Sequence, residues 1–113
     1  MDLSIVIPLI DEAESLPELT AWIEKVMQEN KYSYEVIFVD DGSTDGTIAC
    51  LQSLASKNPN LRLVCHKKNY GQSAAIVSGA RAARYSMIAT LDGDGQNDPA
   101  DIPLLFDKLT DTR

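Results

Sequence analysis

The sequence predicts an α/β protein, a parallel sheet with helices on both faces. Two observations carry this. Strand-like and helix-like segments alternate four times along the chain, the order that builds right-handed crossovers between parallel strands. The first strand segment, residues 3–8 (LSIVIP), is also a nearly continuous apolar run. A strand covered on both faces reads this way, where a half-exposed one would alternate.

The elements follow in order. Ser15-Leu16-Pro17-Glu18 reads as a helix start, with Ser15 as cap and Glu18 reaching back to complete a capping box. Leu16, Leu19, Ile23, Val26 and Met27 follow at helical spacing and give that helix one apolar face. Residues 35–39 (EVIFV) form the second strand and lead into Asp40-Asp41-Gly42-Ser43. A second helix, capped by Ser43, Thr44 or Asp45, buries Ile48, Leu51 and Leu54 and stops near Asn58-Pro59. Residues 61–65 (LRLVC) are the third strand, residues 72–83 an alanine-rich helix, and residues 86–91 (SMIATL) the fourth strand. Ile102, Leu105, Phe106 and Leu109 mark a short last helix after Pro99. Residues 109–113 carry no closing element, and about four strands is small for this architecture, so the chain is expected to be part of a longer domain.

The chain has 113 residues, 44% hydrophobic and 24% charged, with a formal net charge of −7. That balance argues against a basic face for nucleic acid but allows a phosphate ligand held through a metal. Cys50 and Cys65 show no CxxC spacing and are expected to be reduced. The start MDLSIVIPLI is too short, and lacks the basic residues, for a signal peptide. No apolar run approaches the roughly 20 residues of a membrane helix. A soluble, cytoplasmic segment is expected, which downstream parts could bring to the inner face of a membrane.

Ligands of open parallel sheets bind outside the carboxyl ends of the strands, near where strand order reverses. The first strand is followed by Asp11-Glu12, the second by Asp40-Asp41 and the fourth by Asp92 and Asp94, while the third ends in His66-Lys67-Lys68-Asn69. With a 3-2-1-4 order, the three acidic ends share one rim. Carboxylates gathered there would repel, with raised pKa values, unless a cation is present. Oxygen ligands without a cysteine or histidine cluster select a hard ion, Mg²⁺ or Mn²⁺, completed by waters and substrate phosphates. Gly93 and Gly95 let backbone and ligand approach closely.

Plainer readings stand beside these. Helix capping accounts equally for Asp40-Asp41, and for Ser43, Thr44 and Asp45. An EF-hand does not fit, because Gln96-Asn97 breaks the loop pattern and Pro103 stands where its final glutamate belongs. His66 reads as a surface or packing residue and Lys67 and Lys68 as solvated charges. Arg81 and Arg84 read as an exposed pair on one helix, and Trp22 as a packing or surface residue. Asn69, Gly71 and Ser73 open the alanine-rich helix, where capping and ligand contact both remain open.

IVIPLIDEAESL, EVIFVDDGSTDGT, NYGQSAAIVSGARAA and IATLDGDGQNDP, in this order and spacing, resemble a family 2 glycosyltransferase. Each motif alone is modest, but the four together span nearly the whole chain. The D-x-D-x-Q form followed by a proline is most similar to the polyprenyl-phosphate sugar transferases, the group of the dolichyl-phosphate mannose synthases. The resemblance implies a Rossmann-like sheet, the nucleotide-binding half of a GT-A fold. It implies that Pro8, Ile10, Glu12 and Asp40 line a nucleoside pocket, with Asp41 close by and Gly71 among the substrate-binding positions. Asp92 and Asp94 would hold the metal that bridges the diphosphate, and Gln96 would be its third contact. Two positions depart from the pattern. Ile10-Asp11-Glu12 stands where aromatic-asparagine-glutamate is usual, which counts against base stacking at position 10. Gln72 stands where a lysine or arginine is common, which weakens a diphosphate contact.

The implied activity is metal-dependent transfer of a sugar, with inversion, from a nucleotide-diphosphate sugar to a polyprenyl phosphate or a glycan. The metal, Mg²⁺ or Mn²⁺, neutralises the leaving diphosphate as Lewis acid and template. A polyprenyl phosphate is already an anionic nucleophile, whereas a hydroxyl acceptor needs a base. No catalytic residue is identified in this segment. Residues 1–113 are therefore expected to be the nucleotide-sugar-binding part of a catalytic domain. The segment should be inactive alone and self-associate through the edge that its acceptor half covers. Two other readings are a nucleotide-binding fragment without catalysis of its own and a receiver-type signalling domain. The receiver type needs a phospho-acceptor aspartate after strand three, where this chain has Cys65-His66.

Overall fold

The structure is a computed structural model, and it describes residues 2–91. Its elements are β1 (Asp2–Leu9), α1 (Leu16–Glu29), β2 (Ser33–Asp40), α2 (Thr47–Lys57), β3 (Leu61–Cys65), α3 (Gln72–Ala82) and β4 (Ile88–Thr90). All strand pairs are parallel, and the order is β3-β2-β1-β4. The helix expected after Pro99, and the stretch that carries Asp92, Asp94 and Gln96, lie outside the described residues.

Chain direction decides which helix covers which face. Through α1 and α2 the chain steps outward from β1 to β2 to β3, and through α3 it returns to β4 on the far side of β1. Right-handed crossovers in opposite directions leave α3 on the opposite face from α1 and α2. The alternating side chains of β1 show both faces. Leu3, Ile5, Ile7 and Leu9 join Ile23 and Met27 of α1 and Leu51 of α2 in the larger core. Val6 joins Ile37, Val39 and Ala75 of α3 in the smaller one.

The smaller core depends on a close helix. A Cβ added at Gly79 of α3 would stand 2.3 Å from Val6 Cγ1 and 3.1 Å from Val39 Cγ2. Both valines are fully buried, so neither can swing aside without disturbing its neighbours. Gly79→Ala is expected to destabilise the fold by about 1–3 kcal/mol, although alanine is the better helix former. Thermal denaturation should show a Tm lowered by roughly 4–8 °C per kcal/mol. An unchanged or raised Tm would mean that α3 stands further from the sheet.

Polar groups close the rest of this face. Glu35 is 4% exposed, and its Oε2 accepts the Ser4 hydroxyl at 2.7 Å and the Arg84 N–H at 2.6 Å. Its Oε1 accepts Arg62 Nη1 at 2.9 Å, and the same nitrogen donates to the Ala82 carbonyl at 2.6 Å. The Tyr85 N–H donates to Ser4 Oγ at 3.2 Å. One buried carboxylate thus joins β1, β2, β3 and the segment that leaves α3.

Some local expectations are corrected. Ser15 is the N-cap of α1 but makes no side-chain cap bond. Its backbone is already helical, at φ −83° and ψ −18°, whereas a capping hydroxyl needs extended backbone. The hydroxyl instead turns back to Glu12 Oε2 at 3.5 Å. In α2 the buried residues are Thr47 and Leu51, while Ile48 and Leu54 are half-buried. Of the three expected caps only Asp45 accepts a bond from the helix start, the Thr47 N–H at 2.8 Å. Arg84 lies beyond α3, which gives way to extended backbone at Ala83. Both cysteines are free thiols. Among the described residues, no helix is long and apolar enough to cross a membrane.

Candidate functional site

Strand order reverses at β1, with β2 on one side and β4 on the other, and Pro8 stands near the carboxyl end of β1 on the β4 side. The Ser4 N–H bonds the Met87 carbonyl at 2.9 Å, and the Leu91 N–H bonds the Val6 carbonyl at 3.2 Å. The even-numbered backbone groups of β1 therefore face β4. Pro8 is the next of them and has no N–H to offer. Among the described residues, pairing of β1 with β4 runs to Val6 and Thr90, and pairing with β2 to Leu9 and Asp40.

The turns at this end of the sheet are tied to one another. Asp11 adopts φ +52°, a left-handed conformation that aspartate tolerates. From there its Oδ1 accepts the N–H groups of Thr44 at 2.7 Å and Asp45 at 3.2 Å, and its own N–H donates to Ser43 Oγ at 2.9 Å. The Glu12 N–H donates to Thr47 Oγ1 at 3.1 Å. Asp40 is fully buried and accepts both the N–H of Ser43, at 3.1 Å, and its hydroxyl. Asp45 accepts the Thr47 hydroxyl, the chief reason its carboxyl is held below the ordinary aspartate value.

Asp41 is 6% exposed and is met by donors on both oxygens. Oδ1 accepts His66 Nδ1–H at 2.8 Å and the Tyr70 N–H at 2.9 Å, and Oδ2 accepts the Gly71 N–H at 2.9 Å. His66 Nε2 in turn lies 2.8 Å from Ser78 Oγ on α3. Burial alone would raise the Asp41 carboxyl. The bonds from Tyr70, His66 and Gly71, with the His66 charge, outweigh it and hold the carboxyl below the ordinary value. At Asp41 the carboxyl is lowered and not raised, because its nearest neighbours are N–H donors and not other carboxylates.

Glycine makes this arrangement possible. Gly42 has φ +87°, and an added Cβ would fall 2.8 Å from the Asn69 nitrogen and 2.9 Å from the Lys68 carbonyl carbon. Only glycine lets the turn after β2 pass so close to the loop after β3.

Pro8, Ile10, Glu12, Asp40, Asp41 and Gly71 thus all stand at the carboxyl end of the sheet or on its turns. Ile10 is exposed, Glu12 and Gly71 are half-buried, and the two aspartates are buried. Asp92, Asp94 and Gln96 are outside the described residues. No group of three histidine, cysteine or acidic side chains that could hold a metal occurs among the described residues. His66 takes the packing side of its expected surface or packing role, bonding the turn after β2 to α3. The signal for this lies in the register: Asp40 pairs with Cys65, so the residues that follow each strand, Asp41 and His66, are neighbours.

The sheet, its switch point and its bonded turns define an α/β protein of the open parallel-sheet class. Residues 4–113 match the sequence model of Glycosyl transferase family 2, and the chain belongs to that family. The dodecaprenyl-phosphate galacturonate synthase of Rhizobium johnstonii is 39% identical over 110 residues, which cover 96% of this chain and 32% of that protein. The undecaprenyl-phosphate 4-deoxy-4-formamido-L-arabinose transferase of Pseudomonas fluorescens is 42% identical over 106 residues, 93% of this chain and 31% of that protein. The solved mannosyltransferase PcManGT from Pyrobaculum calidifontis, in complex with GDP-Man and Mn²⁺, is similar with a TM-score of 0.74 at 26% identity. That likeness covers 88% of this chain and 29% of the mannosyltransferase. The chain spans about a third of the length of these curated relatives. The expected fold class holds, and the family match favours the glycosyltransferase reading over the receiver-type one.

Proposed function

We propose that the chain is the nucleotide-sugar-binding part of a metal-dependent, inverting glycosyltransferase whose acceptor is a polyprenyl phosphate. The observation that carries this is the likeness to two relatives named for polyprenyl-phosphate sugar products or acceptors, over 96% and 93% of this chain. The likeness to a mannosyltransferase bound to GDP-Man and Mn²⁺ supports a nucleotide-sugar donor and a divalent ion.

In this reading Pro8, Ile10, Glu12 and Asp40 line the nucleoside side of the crevice, and Gly71 borders it from the start of α3. Asp41 keeps the wall in shape, since its charge is already shared among three N–H donors. Asp92 and Asp94, with the side-chain carbonyl of Gln96, would hold the ion. An all-oxygen donor set of this kind fits Mg²⁺ or Mn²⁺. When bound, the ion supplies charge neutralisation to the departing nucleoside diphosphate. A phosphate acceptor arrives as an anion, so no base is assigned to this chain, and a lipid-linked one places the reaction at a membrane surface.

Titration with uridine and guanosine diphosphates, with and without Mn²⁺, tests the proposal. Metal-dependent binding of at least one is expected, and none at all would sink it. Asp94→Ala should abolish the Mn²⁺ dependence while shifting folding stability by no more than about 0.5 kcal/mol. A variant that keeps the full dependence would remove Asp94 from the ion.

A further inference from the structure

Tyr70 is an aromatic side chain left 56% exposed at the ligand end of the sheet, and yet it is held firmly. Its N–H and the next one are bonded to the two oxygens of Asp41, each at 2.9 Å. Its ring meets the His66 ring edge-on, with centroids 5.4 Å apart and planes at 79°. His66 is itself fixed from two sides, by Asp41 and by Ser78, each at 2.8 Å. With its backbone fixed and its ring packed edge-on, Tyr70 has less conformational freedom to lose when a ligand covers it. At the end of β1, position 10 offers an isoleucine, apolar and 39% exposed, but no ring.

We propose that Tyr70 packs its ring against the nucleobase of the donor, and that His66, acting through Asp41, is the positioning residue that presents it. The inference rests on the nucleotide-sugar reading. Stacking suits every base, since each has a π face, so this contact supplies affinity more than choice among bases. The competing role for Tyr70 is to shield the His66–Asp41 bond from water, which any bulky apolar side chain would do.

The test is a titration of uridine and guanosine diphosphates, in Mn²⁺, into the full chain and its variants, with thermal unfolding measured alongside. If the unsubstituted chain binds neither, the donor reading falls and this inference falls with it. If it binds, Tyr70→Leu is expected to weaken the nucleotide about ten-fold, while Tyr70→Phe keeps the affinity. Equal affinity in Tyr70→Leu overturns the stacking role and leaves the donor reading standing. In the unsubstituted chain the Tyr70 ring resonances should shift on nucleotide addition, and unmoved resonances also overturn it. His66→Leu is expected to reproduce the loss, again about ten-fold. His66→Asn, whose amide N–H can stand in for Nδ1–H, should restore most of it. A His66→Leu chain that binds as well as the unsubstituted one overturns the positioning role.

Discussion

Glu35→Ala is expected to cost the fold about 3 kcal/mol, read as a lowered urea midpoint at unchanged m-value. The carboxylate is almost fully buried and receives the Ser4 hydroxyl, the Arg84 N–H and the Arg62 guanidinium. Alanine would leave these donors facing an empty site. The cost stays near the lower end of that for breaking a buried ion pair, because the Arg62 side chain is 33% exposed and keeps the Ala82 carbonyl. The same group shapes the acid response. Burial pushes the Glu35 carboxyl up. The bonds from Arg84, Ser4 and Arg62, with the Arg62 charge, pull it further down, below the ordinary glutamate value. A carboxyl lowered on folding stabilises the native state above its unfolded pKa and loses that contribution as pH falls through the folded one. The unsubstituted chain should therefore lose stability below about pH 4, and Glu35→Gln should lose less over the same interval. Identical acid slopes would remove Glu35 from the response.

Glu35 also shows where reading the sequence stops. The run EVIFV announces a strand, and its apolar residues do fill the two cores. Nothing local says that its first residue is buried. That depends on Ser4, 31 positions away, and Arg84, 49 positions away, which only the sheet order brings together. The order β3-β2-β1-β4 is one of the few that alternating elements and the handedness of crossovers leave, and the strand pattern alone does not choose among them. The capping box at Ser15 failed for the opposite reason. Its spacing was right, but the chain enters α1 already coiled, and the hydroxyl points back toward Glu12. At the candidate site, the positions at the strand ends were legible from motif and topology. The bonding state of the acidic turns was not, since the donors that satisfy Asp41 are mostly backbone N–H groups of a loop 29 and 30 residues further on.

Asp41→Ala is expected to release this end of the molecule, and Asp41→Asn to loosen it less. Three N–H groups converge on the two oxygens. An amide has one oxygen and an NH₂. With the oxygen in the Oδ1 position, the NH₂ faces the Gly71 N–H, which still has the Asn69 side-chain oxygen at 3.1 Å. With the amide turned over, it faces the Tyr70 N–H and the His66 ring. His66 could relieve one of these contacts by moving its proton to Nε2 and accepting at Nδ1, with Ser78 as the new acceptor on its other side. The Tyr70 N–H would still be left without a partner. Each orphaned donor costs about 1–3 kcal/mol, so Asp41→Ala should lose amide-exchange protection at Tyr70 while the β1–β2 ladder keeps its own, and Asp41→Asn should lose less. Acid should act in the same direction. The Asp41 carboxyl lies below its ordinary value in the folded chain, so the loop is held above the unfolded aspartate pKa and released as pH falls through the folded one. Protection at Tyr70 that survives in Asp41→Ala would show that the Gly42–Asn69 contact, and not the carboxylate, holds the loop in place.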